Sequence, residues 1–564
     1  MRSGSCRCAD NIKDGYGMSV NAKIENILKN MTLEEKIGQL CVPILQKGEI
    51  TQDLISYVCD YHVGMLRYCP NAEFDNSSEV VGKPNKFFRP SEMADFINSI
   101  QRMAKIPLFF AVDQEGGSRN DINRAGAFAY GGHMQFGAAD DVSLTYDVAF
   151  AVGREFASMG INLVQAPIVD VLTYDGRRTM KAATFGDNTK KVCEHSLAMM
   201  KGFSDGGIAV MAKHFPGYGS VATDAHKGIA EIIKDFQALD SEDIEPMKQL
   251  FENGLNGVMT GHVITHCIDD EYPATVSEKV ITNYLREKLG FDGIVETDAM
   301  RMPAMQKLYG TAKASVLAIK AGCDLVLLRG NMEHFKEGFE AILNAAESGE
   351  IEIGQIESSV RRILVQKDKI GLLDKPFVNA EKAQEIVGCQ KHKELAQRLA
   401  DNSAAVLKGE TNLLSEDERI LVVCCEPQKI RAAEDEIQCV DMLEKAVKRY
   451  FENTDGIMVS LAPGKDDINK VSEMLSKKSY DAVIFGCCNA IIYESQCELA
   501  AFLRSNTEKM VTVAMESPYD VEIMPEADLF ISTFGVSAQS MDTAARIMCG
   551  KHSAKGVLPV KINL

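Results

Sequence analysis

The sequence predicts an α/β protein, an eight-fold (β/α) barrel followed by a second, smaller α/β domain. Three observations carry that prediction. Short apolar runs alternate with longer amphipathic stretches between residues 21 and 370, the pattern of parallel strands joined by helices. Most of those runs end in an ionisable residue, as expected where strands deliver side chains to one rim. A second series of strand-like runs begins near Arg419, after a charged connector. At 564 residues the chain is also too long for one core. The expected divisions are an N-terminal extension over 1–20, the barrel over 21–370, a linker over 371–415 and a C-terminal domain over 416–564.

Taken in order, Asn21–Asn30 and Thr32–Cys41 read as helices. The second opens on Thr32-Leu33-Glu34-Glu35, a capping-box pattern. The runs expected as strands are Ile37–Ile44 (overlapping that helix), His62–Tyr68, Pro107–Asp113, Ile161–Val171, Ile208–Phe215, Gly257–Val263, Gly293–Asp298 and Cys323–Leu328. Pro90–Met103, Val142–Met159, Lys190–Ser204, Asp240–Glu252, Ser277–Leu289 and Gly310–Lys320 read as the intervening helices. Their strands carry Arg67, Asp113, Asp170, Lys213-His214, His262, Asp298 and Arg329 at or near their ends. So many ionisable groups on one barrel rim make a polar, hydrogen-bonding pocket of the kind that grips a sugar's hydroxyls.

The connector Gly371–Leu414 is broken at Lys375-Pro376 and helix-like over Ala380–Ala405. Beyond it, Arg419–Cys425, Gly456–Leu461, Asp481–Cys488, Met510–Met515 and Ala527–Phe534 read as strands, with helices such as Ala432–Tyr450 and Lys465–Lys478 between them. That pattern suits an open sheet with helices on both faces. No glycine-rich phosphate loop occurs in it, so no nucleotide cofactor is expected.

A net charge of −19 argues against nucleic acid or an anionic membrane as partner. The sixteen cysteines include no C-x-x-C pair, so a zinc ribbon or thioredoxin-type site is not expected. Cys424-Cys425 and Cys487-Cys488 end apolar runs and read as buried free thiols. The N-terminal stretch has no apolar core of a signal peptide, and Met18 is an alternative start. A thiol-rich chain of this kind is expected in a reducing cytoplasm.

The segment Lys213–His226, KHFPGYGSVATDAH, concentrates the chemistry. A buried strand ends in Lys213-His214, a glycine-rich loop follows, and Asp224-Ala225-His226 closes it. A carboxylate beside an imidazole fixes the ring's tautomer and raises its pKa, which suits a proton donor. His214, His226 and His262 would also serve a zinc ion, but a neutral sugar pocket explains them more simply, and no metal is expected.

The motifs resemble those of glycoside hydrolase family 3. Met31-Thr32-Leu33-Glu34-Glu35-Lys36-Ile37-Gly38-Gln39-Leu40 is similar to the family's N-terminal signature, and Asp113-Gln114-Glu115-Gly116-Gly117 to its substrate-binding turn. Tyr272–Ser277, then Gly290-Phe291-Asp292-Gly293 leading to Thr297-Asp298-Ala299-Met300, resemble its nucleophile region. Ser359–Leu364 and Ala404–Lys408 follow the same family pattern. The resemblance implies a (β/α)8 TIM-like barrel followed by a C-terminal α/β sandwich. Within the family, Lys213–His226 resembles the bacterial β-N-acetylglucosaminidases, which carry a histidine acid/base on the barrel. It implies Asp298 as nucleophile, His226 as acid/base, Asp224 as its partner, and Asp113, Lys213 and His214 on the sugar's hydroxyls, with Arg67 on the same rim. The substrate implied is a small β-linked carbohydrate.

Some recognition residues depart from the pattern. Ala183 stands where relatives place a sugar-binding Arg, Tyr218 replaces a second His, and Ser118 follows the Gly-Gly turn, with Arg119 displaced and Asp121 beyond it. A lysine does not replace such a bidentate clamp, and Arg67, Arg178 and Lys181 are the candidate substitutes. The alternatives are a relative acting on a glucoside, xyloside or modified sugar, a glycoside phosphorylase, or a non-catalytic sugar-binding relative.

Overall fold

The computed structural model describes residues 22–46, 48–69, 89–116, 119–120, 127–128, 130–222, 228–426, 442–525 and 527–563. Eight parallel strands form the main path of the first, nine-stranded sheet: β1 (Cys41–Leu45), β2 (Met65–Tyr68), β3 (Phe109–Gly116), β4 (Leu163–Gln165), β5 (Ala209–Phe215), β6 (Gly257–Thr260), β7 (Ile294–Thr297) and β8 (Val326–Leu328), with the two-residue strand Arg119–Asn120 antiparallel to β3. β1 to β7 each pair in parallel with the next, and β8 pairs with β1. A parallel bridge from Glu296 to Leu325 joins β7 to β8, so the sheet closes as a barrel. Helices cover its outside and side chains fill its inside, which is why nearly every strand residue is buried and polar alternation is absent.

Local signals set the helices. Thr32 caps Leu33–Leu40 in the expected capping box: its Oγ1 accepts the Glu35 N–H, and Glu35 accepts the Thr32 N–H. Pro90 opens Pro90–Met103, where its missing N–H costs nothing. Asp141 caps Val142–Met159, which ends at Gly160 with φ 89°. Asn188 likewise caps Thr189–Gly206, which ends at Gly207 with φ 103°. Glycine adopts that left-handed turn without a Cβ clash and feeds the chain directly into the next strand.

Several expected elements are shorter or wound differently. The strand expected at Ile37–Ile44 is helix through Leu40, with β1 beginning at Cys41. Only Leu163–Gln165 of the expected Ile161–Val171 is strand, because Pro167 has no N–H to continue the ladder. A bridge at Ile168 to Lys213 still carries Asp170 to the rim. The run Gly257–Val263 divides after Thr260, and Val263–Thr265 pairs with Ala230–Ile232 in a small parallel sheet. Leu239–Asp243 and Lys279–Lys288 are wound as π-helix within stretches expected as α-helix.

The second sheet contains β9 (Ala405–Gly409), β10 (Ile420–Cys425), β11 (Thr454–Val459), β12 (Ala482–Cys487), β13 (Lys509–Ala514) and β14 (Leu529–Ser532). Its order is β9-β14-β13-β12-β10-β11, parallel except for β9 against β14. Alternate residues of β10 and β12 enter opposite cores. Val422, Cys424 and Ile484 pack toward the helix Ala538–Met548, while Leu421, Val423 and Phe485 pack toward Ser495–Ser505. Cys424, Cys425, Cys487 and Cys488 are buried free thiols. β9 lies within the stretch expected as linker, while the helices before it, Ala380–Ile386 and Gln390–Ser403, lie against the barrel.

The two domains share an apolar seam. Met134, Ile168, Leu172 and Met180 of the barrel meet Ile491, Tyr519, Phe534 and Val560. A Cβ on Gly535 would lie 2.3 Å from the Cα of Gly131, so the backbones touch where no side chain fits. Among the described residues no helix is long and apolar enough to cross a membrane, and no group of three or more His, Cys, Asp or Glu side chains is placed to hold a metal.

Candidate active site

The strand ends bring one polar cluster together inside the barrel mouth. On β3 the side chains of Asp113 and Glu115, two residues apart, point to the same interior. Lys213, near the end of β5, donates from Nζ to Asp113 Oδ1 at 2.6 Å and to Glu115 Oε1 at 2.5 Å. Arg67, on β2, donates to Asp113 Oδ2, to Gln165 Oε1 and to the Tyr68 carbonyl. Lys213 is 2 % and Arg67 4 % exposed. Two cations thus face two carboxylates, which is what allows four charges to be buried together. Burial alone would lower the Lys213 ammonium, but Asp113 and Glu115 outweigh it and hold its pKa above the ordinary value.

Asp298 follows β7 and is half-buried. Its Oδ1 accepts the Ala299 N–H at 2.6 Å. Burial works to raise this carboxyl, yet His262, His214, that N–H and Lys213 together hold it below its ordinary value. It is therefore a carboxylate, ringed by cationic or titratable groups. His214 accompanies Lys213: its Nδ1 lies 2.9 Å from Asp170 Oδ2, an arrangement in which Nδ1–H donates and the ring is fixed. Tyr218 packs on His214 with ring centres 5.5 Å apart. His262 is buried, with Nε2 3.1 Å from the Ala299 carbonyl and Nδ1 2.8 Å from Thr275 Oγ1. Nε2–H donates to that carbonyl, and the Thr275 hydroxyl itself donates to the Gly261 carbonyl at 3.2 Å.

Of the residues expected to act, Arg67, Asp113 and Lys213 form one hydrogen-bonded group, and His214 and Asp298 lie close enough to interact electrostatically. Asp224 and His226 fall outside the described residues, as do Ser118 and Asp121. Arg178, a candidate substitute for the Arg absent at 183, instead pairs with Glu494 of the second domain at 2.7 Å. The Ala183 carbonyl accepts from Nδ1 of His133, at 2.9 Å. Burial pushes the His133 imidazole down to about 4, so that ring is neutral.

Sequence reasoning named Glu115 only within the turn Asp113–Gly117, without a role of its own, and missed Gln165, Glu296 and His133. Glu115 and Glu296 were within its reach. Glu115 is two residues from Asp113 on the same strand, and so on the same face, and Glu296 is two residues before Asp298, which follows its strand. Glu296 is fully buried, and burial pushes its carboxyl up to about 8. Gln165 lies in a run otherwise read as core.

Residues 32–365, more than half the chain, match the family model described as the glycosyl hydrolase family 3 N terminal domain. The chain is 25 % identical over 524 residues to "Beta-hexosaminidase A" of Pseudoalteromonas piscicida, covering 82 % of this chain and 84 % of that one. It is 25 % identical over 569 residues to "Beta-N-acetylglucosaminidase/beta-glucosidase" of Cellulomonas fimi, covering 96 % and 95 %. Among solved structures, a glycoside hydrolase family 3 beta-N-acetylglucosaminidase from Paenibacillus sp. aligns with a TM-score of 0.85 at 26 % identity, covering 94 % of this chain and 99 % of that one. A closed barrel with a carboxylate on its rim and a match spanning that whole barrel lead to one conclusion: the chain belongs to glycosyl hydrolase family 3 and is a glycoside hydrolase.

Proposed function

We propose that the protein is a retaining, exo-acting β-glycosidase that removes a terminal β-linked N-acetylglucosamine. The observation that carries this reading is Asp298: a carboxylate held ionised at the rim beside His214, His262 and Lys213. Such a group is suited to attack an anomeric carbon. Asp298 forms a bond to that carbon while the glycosidic C–O bond breaks, and His226 as imidazolium gives its proton to the departing oxygen. The neutral imidazole then takes a proton from water, whose oxygen attacks the anomeric carbon and releases Asp298. Asp224 steadies the imidazolium in the first step. Asp113, Lys213, His214 and Arg67 hold the glycone's hydroxyls. The relatives named as a beta-hexosaminidase and a beta-N-acetylglucosaminidase/beta-glucosidase support this sugar, while Ala183 leaves the rim without an Arg at that position.

The test is a panel of aryl β-glycosides. The N-acetylglucosaminide is expected to turn over fastest, and Asp298→Ala to lower its kcat/KM by at least about 10³-fold, roughly 4 kcal/mol of barrier. A faster glucoside or xyloside would overturn the sugar assignment, and undiminished turnover in Asp298→Ala would overturn the nucleophile. A histidine acid/base repels phosphate less than a carboxylate does, so the panel is run with and without phosphate. Glycosyl phosphate as the main product would favour the phosphorylase reading instead.

A further inference from the structure

Below the rim, Glu296 takes no part in the chemistry just described, yet it is tied to the residues that do. It lies on β7, two residues before Asp298, which follows the strand and is near enough to act on it electrostatically. Its Oε2 accepts from Gln165 Nε2 at 2.7 Å. Gln165 Oε1 accepts from Arg67 Nε, and Arg67 donates onward to Asp113. This order fixes the amide: the guanidinium demands the oxygen of Gln165, so its NH2 must find an acceptor on Glu296. The other oxygen of Glu296, Oε1, is buried and has no hydrogen-bond partner among the described residues. The charged groups that face Glu296 are Arg67 from β2, Asp113 from β3 and Asp298 from its own segment, one cation against two carboxylates. A third anion there, with one oxygen bare in a dry interior, is strongly disfavoured.

We propose that Glu296 is a positioning residue acting as a neutral carboxylic acid, which fixes Gln165 and through it holds Arg67 and Asp113 in the orientation that grips the glycone. It rests on the reading of Asp113 as a sugar-binding group. Keeping Glu296 uncharged also leaves Asp298 as the sole anion of β7 and its C-terminal extension facing the substrate. The direction of the carboxyl's shift agrees with that role, since burial pushes it up to about 8.

The test compares the full-length parent with Glu296→Gln and Glu296→Leu. Glutamine keeps the acceptor for Gln165 and puts an uncharged NH2 at the bare position, so its kcat/KM at neutral pH should stay within about 3-fold of the parent. Leucine removes the acceptor, and KM should rise about 10-fold with kcat nearly unchanged, the signature of lost glycone binding rather than lost chemistry. Gln165→Leu should reproduce that split. Equal impairment of the glutamine and leucine variants, or an unchanged KM in the leucine variant, would overturn the proposal. If the leucine variant does not fold, the glutamine variant and infrared spectroscopy decide. The parent at neutral pH should show the carbonyl band of a protonated carboxylic acid that Glu296→Gln lacks, and its absence from the parent would overturn the proposal. That band does not depend on turnover, so failure of the glycosidase reading and failure of the Glu296 role are told apart.

Discussion

In the proposed mechanism Asp298 and His226 divide the work, and that division can be tested residue by residue. Asp298 is held ionised by His262, by Lys213 and His214 of β5 and by the Ala299 N–H, whereas a proton donor must be protonated at the same pH. In that mechanism one group is stabilised as an anion and the other is an imidazole with a carboxylate two residues away in sequence, so both states would coexist near neutrality. A general acid matters in proportion to how badly the leaving group needs a proton. His226→Ala should therefore lower kcat/KM by about 10²-fold or more for alkyl or sugar leaving groups, and far less for activated phenols. Equal losses across a leaving-group series, measured as a Brønsted plot, would refute the role of His226. Arg67, Asp113 and Lys213 were legible in the sequence because each is a charged residue at or near the end of an apolar run. Gln165 was not, because a single amide inside such a run carries no signal of its own, and only the closed barrel, which brings β2 and β7 within reach of β4, reveals its partners.

At the scale of elements, the helix Val142–Met159 acts as a joint through Glu155. That carboxylate accepts the Phe128 N–H at 2.6 Å, the Gly388 N–H at 2.9 Å and Nδ1 of His392 at 2.6 Å. It ties the segment after β3 and the connector to one barrel helix. Glu155→Ala would orphan the buried Phe128 N–H, the half-buried Gly388 N–H and an imidazole, and should cost about 3 kcal/mol of stability by denaturant unfolding. Glu155→Gln, which keeps an acceptor, should cost less. Helix boundaries set by caps, such as Thr32 and Pro90, could be read to the residue. The π-helical stretches Leu239–Asp243 and Lys279–Lys288 could not, since one extra residue per turn leaves the apolar pattern almost unchanged. β9 was missed for a different reason. Its end is exposed, so it lacks the continuous apolar run by which the interior strands announce themselves.

For the whole molecule, buried acids set the response to pH. Burial raises Glu296 to about 8, Asp520 to about 7 and Asp243 to about 6. Each keeps its proton in the folded state after the unfolded chain has lost it, so each makes stability fall as pH rises from the ordinary carboxyl value to its own folded one. Buried His133, lowered to about 4, acts in the opposite direction between about 4 and its ordinary value of 6.5. Lys367, lowered to about 7, opposes the fall above that pH. Burial lowers the imidazoles of His195 and His334 too, by less, so the three acids with their larger shifts prevail, and Tm by scanning calorimetry should drop from pH 5 to pH 7 and level off above it. Glu296→Gln should make the drop shallower, and a Tm that rises over that interval would contradict this balance. β9 has a further consequence. A chain cut at residue 415, in keeping with a linker over 371–415, would keep β9 and discard its partner β14. It would carry a lone strand with unmet backbone groups next to the uncovered Met134, Ile168, Leu172 and Met180, a template for aggregation. One ending at Ser403 would lack that strand. By light scattering the longer fragment should self-associate more than the shorter one, which places the natural seam of the polypeptide between Ser403 and Ala405.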